Sequence, residues 1–321
     1  MAIKSHHIPK VAVITRTKDR PVLLERAILS VHSQTMNDFV HVIINDAGDP
    51  KVVDDLIKKY KSLVQDRVKV IHNKESHGME AASNKAIKSV ASTYVAIHDD
   101  DDSWDHDFLL KTTDHLEQQK AMGVVVTTDK IDEAIDGSNI RQLSRSRWHP
   151  ELRAISLYNQ CIDNYATPIT FIYRREVYER IGYYSENLPV AGDWDFALRF
   201  LMAYDIEFLP TRDALAFYHH RPNTTGINQN SVFVDNGLLH EKKITMIANN
   251  YLREELASGK LGLGYIISSL RHDQLIHETR DKEDIVRVEE HINRKVDELE
   301  NYMRHNNTSL STKLYRKLRG R

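Results

Sequence analysis

A single cysteine, Cys161, stands in 321 residues. It excludes an intrachain disulfide framework and a Cys-rich zinc site, and it fits a reducing compartment. Glycine and proline are sparse, at 12 and 8, which excludes collagen-like and low-complexity chains. No charge of one sign dominates: 44 Lys plus Arg against 46 Asp plus Glu leave a net charge of −2. A broad basic surface for nucleic acid is therefore not expected. No apolar run approaches the ~20 residues of a transmembrane helix, and the opening MAIKSHHIPK lacks the apolar core of a secretory signal. No repeat of roughly 20–50 residues is visible. What is present is ordinary: 41% apolar and 28% charged residues, a globular chain long enough for a sizeable core. Its length sets a soft prior of about two domains at roughly 150 residues each.

The first half alternates short apolar runs with amphipathic stretches. VAVIT (11–15), FVHVIIN (39–45), RVKVI (67–71), TYVAI (93–97) and GVVVTT (123–128) read as buried strands. Between them, Leu24, Ala27, Ile28 and Val31 mark one helical face, and Met79, Ala82, Ala86 and Val90 another. Further helices are predicted over about 52–61 and 106–119. This alternation predicts βαβ units and a mostly parallel sheet, an α/β fold. In such sheets ligands bind beyond the carboxyl ends of the strands. Residues 130–165 read as an insertion, with a turn at DGSN (136–139). Later, 167–173, 206–210 and 214–220 read as strands, and 175–181, 196–204 and 242–259 as helices.

Four consecutive aspartates, Asp99 to Asp102, follow the fourth strand. Like charges this close repel and raise one another's pKa values. One reading is a solvated loop with Asp105 capping the next helix. The other is a ligand site at the carboxyl edge, where a divalent cation relieves the repulsion; Mg²⁺ or Mn²⁺ takes oxygen ligands and retains substrate phosphates. An EF-hand-type calcium loop does not fit, since its central Gly and terminal Glu are missing.

These segments, with HGMEAASNKAI (77–87) and NLPVAGDWDFALRF (187–200), resemble family 2 glycosyltransferases of GT-A fold over about residues 10–220. The resemblance implies an inverting transfer from a nucleoside-diphosphate sugar to a saccharide or lipid-linked acceptor in cell-surface polysaccharide synthesis, assisted by Mn²⁺ or Mg²⁺. It places Arg16, Thr17, Asp19, Asp46, Asp99 and Asp100 at the donor and Asp101 at the metal. Asp193 becomes the general base. A histidine, His220 in preference to His219, would join the metal, since neighbours in a strand face opposite ways. Asp46 suits the N3–H of uracil or thymine, so UDP or dTDP is favoured. Three departures stand out. Arg16-Thr17-Lys18-Asp19-Arg20 replaces Pro-Thr-Tyr-Asn-Arg, Ser83 stands where many relatives carry Arg, and Gly192 precedes Asp193 where many carry Glu. Arg16 or the arginines at 141–147 are candidate sources of the missing positive charge, and Asp195 a partial substitute for the missing carboxylate.

Arg141, Arg145, Arg147 and Trp148 form a candidate acceptor platform, since Trp stacks on sugar rings and Arg grips anions; Trp194 and Asp195 are further acceptor candidates. Asn223-Thr224-Thr225-Gly226 reads as a loop able to close on the donor. We expect a GT-A domain over 1–235, a helical region packing on it over 236–270, and a polar helix with a basic tail over 271–321. Ile285, Val288, Ile292, Val296, Leu299 and Met303 give a narrow stripe with an eleven-residue period, which suits a homo-oligomer through 271–304. The tail 313–321, with Leu314, Tyr315 and Leu318 among basic residues, suits an anionic membrane surface. The expected location is cytoplasmic, peripheral on the inner membrane face. Two alternatives remain at this point: a catalytically inactive GT-A assembly subunit, and a sugar-1-phosphate nucleotidyltransferase, against which the absence of glycine in TRTKDR counts.

Overall fold

In a computed structural model, residues 7–188, 190–222, 224–230, 238–258, 287–298 and 301 are described. The chain divides into two units, Met1–Asn250 and Tyr251–Arg321. In the second, residues 287–298 are helical and leave Val288, Ile292 and Val296 exposed. The rest of the stripe and the tail 313–321 lie outside the described residues. No helix among the described residues is long and apolar enough to cross a membrane.

The first unit is built on β1 (Val11–Thr17), β2 (Phe39–Asp46), β3 (Val68–Asn73) and β4 (Tyr94–Ile97). Their apolar runs sit between helices on both faces, which is why they show no strict alternation. Beside them lie β6 (Gly123–Val126), β9 (Phe171–Arg174) and β10 (Ile206–Leu209), in the order β10-β6-β9-β4-β1-β2-β3. Only β9 runs against its neighbours, so β4 and β6 point the same way. Helix α1 (Pro21–His32) starts on its proline and buries the predicted Leu24, Ala27, Ile28 and Val31. Helix α2 (Pro50–Lys59) starts two residues earlier than predicted, because Asp49 accepts the Lys51 amide at 2.9 Å as its N-cap. α3 (Lys61–Val64) follows, then α4 (Met79–Lys88) between β3 and β4.

A second sheet has the order β5-β11-β7-β8. Its strands are β5 (Ser103–Trp104), β7 (Thr128–Asp136), β8 (Asn139–Trp148) and β11 (Ala216–His220). The segment read as an insertion is thus a regular hairpin, turning at the predicted DGSN with Gly137 at φ 59°. Its strand character escaped sequence reading because β8, NIRQLSRSRW, is almost wholly exposed and has no apolar face. Asp105 is not the cap of α5 (Phe108–Gln119). Asp107 holds that position without a side-chain cap bond, and Asp105 instead accepts the Asp107 amide at 3.0 Å. Four more α-helices precede the helix at 287–298: α6 (Leu157–Ile162), α7 (Val177–Ile181), α8 (Gly192–Ala203) and α9 (Leu238–Ala257).

Candidate active site

Parallel pairing brings three strand ends together. Thr17 of β1 faces Asn45 of β2, one residue before Asp46, and Ile14 faces Ile97 at the end of β4. The loops beyond them enclose a cleft of about 460 Å³. Arg16, Thr17, Asp19, Asp46, Asp99, Asp100 and Asp101 all line it. So do Ile227 and Gln229, held by Arg20, which donates to both of their carbonyls at 2.6 Å.

The four aspartates divide their tasks. Asp99 accepts Arg16 in an ion pair, with a further bond from Nε at 3.1 Å. Asp100 accepts Thr17 Oγ1 and Arg20, each at 2.8 Å. Asp101 takes Arg221, and Arg20 at 3.5 Å. Asp102 accepts the His219 amide at 2.8 Å, and burial, then Asp101 and Asp99, push its carboxyl well above the usual range. The repulsion read from the sequence is thus answered first by arginines, three of them far away in the chain. Arg16 also lies 3.3 Å from Ser83 Oγ, the position where many relatives carry Arg. Burial works against the Arg16 charge, but Asp99 and Glu80 raise its pKa above the ordinary value. Asp46 is spoken for differently. Its two oxygens accept Asn73 at 2.8 Å, Ser76 at 2.7 Å, and the amides of His77 and Gly78 at 3.1 Å, so it shapes the 73–78 turn as well as lining the cleft.

Asp193 stands in the first turn of α8, where the helix dipole favours a carboxylate. Asn164 Nδ2 donates to it at 2.7 Å. Glu80, which sequence reading missed, lies against the same turn. A Cβ on Gly192 would sit 2.4 Å from the Glu80 carboxyl carbon, so any larger residue there would push the Glu80 side chain aside. The carboxylate missing from position 192 is therefore close by after all, supplied from α4, while Asp195 is occupied by Arg199 at 2.8 Å and Ser185 at 2.7 Å. Burial raises Glu80 to about 7; Arg16, at 3.6 Å, pulls it down, and Asp193 and Asp99 push it up. A raised carboxyl holds its proton in the folded state at pH values where the unfolded chain has lost it. Its contribution is full below about 4.3, the ordinary glutamate value, and is lost as pH rises through about 7. Thermal midpoints measured across this window should decline in the wild type, and more shallowly in Glu80→Gln; parallel curves would refute the assignment.

His219 and His220 separate as strand geometry requires. His219 is locked inward, its ring on Glu133 at 2.7 Å, Ser103 at 2.8 Å and Arg26 at 3.1 Å. His220 packs against Trp148 and Tyr218. Burial lowers it to about 4, so its ring is neutral, the form that ligates metals. Asp101 receives Arg221, Arg20 and Asn230 all on Oδ2, which leaves Oδ1 as an oxygen donor. The Asp101 carboxylate is the donor type that suits Mn²⁺ or Mg²⁺, and a neutral imidazole such as that of His220 is a common metal ligand. A separate group, Asp105, His106 and Asp107, brings ligand atoms within 4.8 Å of one another. Asp107 there is engaged by Thr35 at 2.9 Å and Lys111 at 3.2 Å, and none of the three lines the cleft. Behind the histidines, Glu133 collects Arg26 at 2.7 Å and Arg221 at 2.8 Å. Neither arginine, nor Glu133, was legible as a site residue, because each lies on a different element.

The acceptor candidates divide. Arg147 and Trp148 line a second cavity, beyond β6. Arg145 turns to Asp129 at 2.7 Å and does not line it. Trp194 is not an acceptor platform: it is buried and donates to the Gln160 carbonyl at 2.5 Å. Asp195 is likewise a buried ion-pair partner, because both residues fall on the inward face of α8.

The model of the glycosyl transferase family 2 domain matches residues 12–182, more than half of the chain. The chain belongs to this family. The chain is 25% identical over 207 residues to the uncharacterized glycosyltransferase YwdF of Bacillus subtilis (strain 168), covering 63% of this chain and 71% of that one. Against the putative teichuronic acid biosynthesis glycosyltransferase TuaG of the same organism, identity is 29% over 108 residues, 34% of this chain and 42% of TuaG. Among solved structures, S. aureus TarS 1–349 matches with a TM-score of 0.53 at 20% identity, over 65% of this chain and 60% of that one. The mannosyltransferase PcManGT of Pyrobaculum calidifontis, in complex with GDP-Man and Mn²⁺, matches with a TM-score of 0.52 at 16% identity, over 77% and 65%. These likenesses show a glycosyltransferase of GT-A fold; the chain spans less than two thirds of TuaG and of both solved proteins.

Proposed function

We propose that this glycosyltransferase moves a sugar, with inversion, from a nucleoside-diphosphate sugar to a hydroxyl of a saccharide or glycolipid acceptor in cell-surface polysaccharide synthesis. The carrying observation is the cleft itself, where Arg16, Arg20 and the Asp99–Asp101 carboxylates meet at the carboxyl edge of β1, β2 and β4. The known likenesses agree in kind: TuaG is named for teichuronic acid synthesis, TarS 1–349 is solved with UDP-GlcNAc, and PcManGT with GDP-Man and Mn²⁺. In this reading Asp99 and Asp100 face the nucleotide sugar, with Thr17 and Asp19 beside them. Asp101 and His220 hold a divalent ion, which neutralises charge on the departing diphosphate. Asp193 takes the proton of the acceptor hydroxyl as its oxygen attacks the anomeric carbon. UDP or dTDP remains the favoured carrier on the resemblance of Asp46 to the family's base-binding carboxylate, although the four hydrogen bonds Asp46 accepts fill its lone pairs and leave none for a base N3–H.

Thermal unfolding with UDP, dTDP, GDP and CDP, each with and without Mn²⁺, tests the donor site. A nucleotide at about 100 times its Kd adds roughly 2.7 kcal/mol. We expect a Mn²⁺-dependent shift with one nucleotide, lost in Asp101→Ala. A shift of the same size in the variant would remove Asp101 from the site.

A further inference from the structure

The second cavity has about 310 Å³, the lower end of the roughly 300–1,000 Å³ typical of small-molecule sites. It opens beyond β6, on the same edge of the main sheet as the donor cleft, since β4 and β6 run parallel. Its charged lining is of one sign. Arg147 and Arg153 line it beside the imidazole of His149, and no Asp or Glu does.

Its polar atoms are unusually short of partners. Arg147 Nη1, Trp148 Nε1 and His149 Nε2 are all buried without a hydrogen-bond partner among the described residues. Arg147 spends its other nitrogens on Asp129 at 3.2 Å and the Arg212 carbonyl at 2.9 Å. His149 Nε2 stops 4.0 Å from Asp163. Each buried polar atom left unpaired costs about 1–3 kcal/mol; Arg147 Nη1 and Trp148 Nε1 are donors, His149 Nε2 is donor or acceptor by tautomer, and all three residues line one cavity. His149 also holds φ at 49°, the left-handed region that a non-glycine residue rarely adopts. The walls are aromatic: Trp148, His149 and Tyr165 follow one another at ring separations of 4.5 and 4.4 Å.

The cavity is connected to the proposed chemistry on two sides. Trp148 touches His220, whose neighbour Arg221 ion-pairs Asp101. Tyr165 follows Asn164, the donor to Asp193. Positive groups, unpaired donors and ring faces together suit a sugar carrying an anion. We propose that this cavity binds a carboxylate- or phosphate-bearing saccharide unit of the acceptor. The proposal rests on the glycosyltransfer reading above for its role, but not for the binding itself.

Calorimetric titration of the full chain with methyl β-glucuronide, glucose 6-phosphate and methyl β-glucoside tests it. At least one anionic probe should bind about tenfold or more tighter than the neutral glucoside, a margin that one charge-assisted contact supplies. That margin should shrink to near unity in Arg147→Gln, and fall in the exposed variant Arg153→Gln, whose fold is not in question. Preference for the glucuronide assigns a carboxylate and preference for the phosphate assigns a phosphate; preference for both assigns charge alone. Equal affinity for all three sugars, no binding of any, or an anion preference unchanged in both variants overturns the proposal. UDP-induced thermal shifts on the same variants separate the two readings. A wild type with no nucleotide shift but a clear anion preference loses the donor assignment and keeps this site, and the reverse pattern loses only this site.

Discussion

Asp193→Asn is expected to lower sugar transfer by about 10²–10⁴-fold, the usual worth of a positioned general base. That is roughly 2.7–5.4 kcal/mol of barrier. The substitution keeps the shape of the side chain and removes its ability to take a proton. Asn164, at 2.7 Å, holds Asp193 in place, and Glu80 crowds the turn beneath it, so the oxygen is presented in one position. Nucleotide binding should survive, because Asp193 does not line the donor cleft. Initial rates with a labelled donor, alongside the UDP thermal shift, make the comparison. Transfer at the wild-type rate would show that the base lies elsewhere; loss of the nucleotide shift would show that Asp193 builds the donor site.

Arg221→Met is expected to cost about 3–5 kcal/mol of folding stability, the penalty for breaking a buried ion pair from one side. The Arg221 side chain is 0% exposed. It ion-pairs Asp101, meets Glu133 at 2.8 Å and donates to the Asn228 carbonyl at 2.8 Å. Methionine fills similar volume but leaves two buried carboxylates facing each other's field. Urea midpoints measure the loss, and a decrease below about 1 kcal/mol would mean that the buried pairs are not formed in solution. Arg221→Lys keeps the charge but not the fork that reaches both acids at once, and should fall between.

Much of the main sheet was legible because its strands are buried on both faces and read as unbroken apolar runs. The residues that line the cleft were legible for a related reason: Arg16, Thr17, Asp46 and Asp99 each stand at the end of such a run, where a polar residue is conspicuous. Glu80, Glu133, Arg26 and Arg221 were not. Glu80, Arg26 and Glu133 sit on helices or a strand and Arg221 just beyond β11, where each looks solvent-facing in one dimension; Arg26 and Arg221 meet at Glu133, which the pairing of β11 with β7 brings beside Arg221, and Glu80 meets Arg16. Trp194 failed in the opposite way. It sits beside Asp193 in sequence, yet a helix turns successive residues through about 100°, so the neighbour of a site residue points into the core.

The order in which these partners leave the ribosome has its own consequence. Arg20 grips the Gln229 carbonyl across 209 residues, and Asp101 meets Arg221 across 120. Synthesis runs from the N-terminus at about 5–20 residues per second, so the acidic tetrad is made after Arg16 and Arg20 but well before Arg221, the third of its paired arginines. During that interval the nascent domain already answers Asp99 and Asp100 with Arg16 and Arg20, and its Asp101 lacks the arginine that pairs with it most closely. Its last steps of maturation are electrostatic as much as hydrophobic. Monovalent salt, which screens exposed like charges over about 8–10 Å, is therefore expected to matter more to the growing chain than to the finished one.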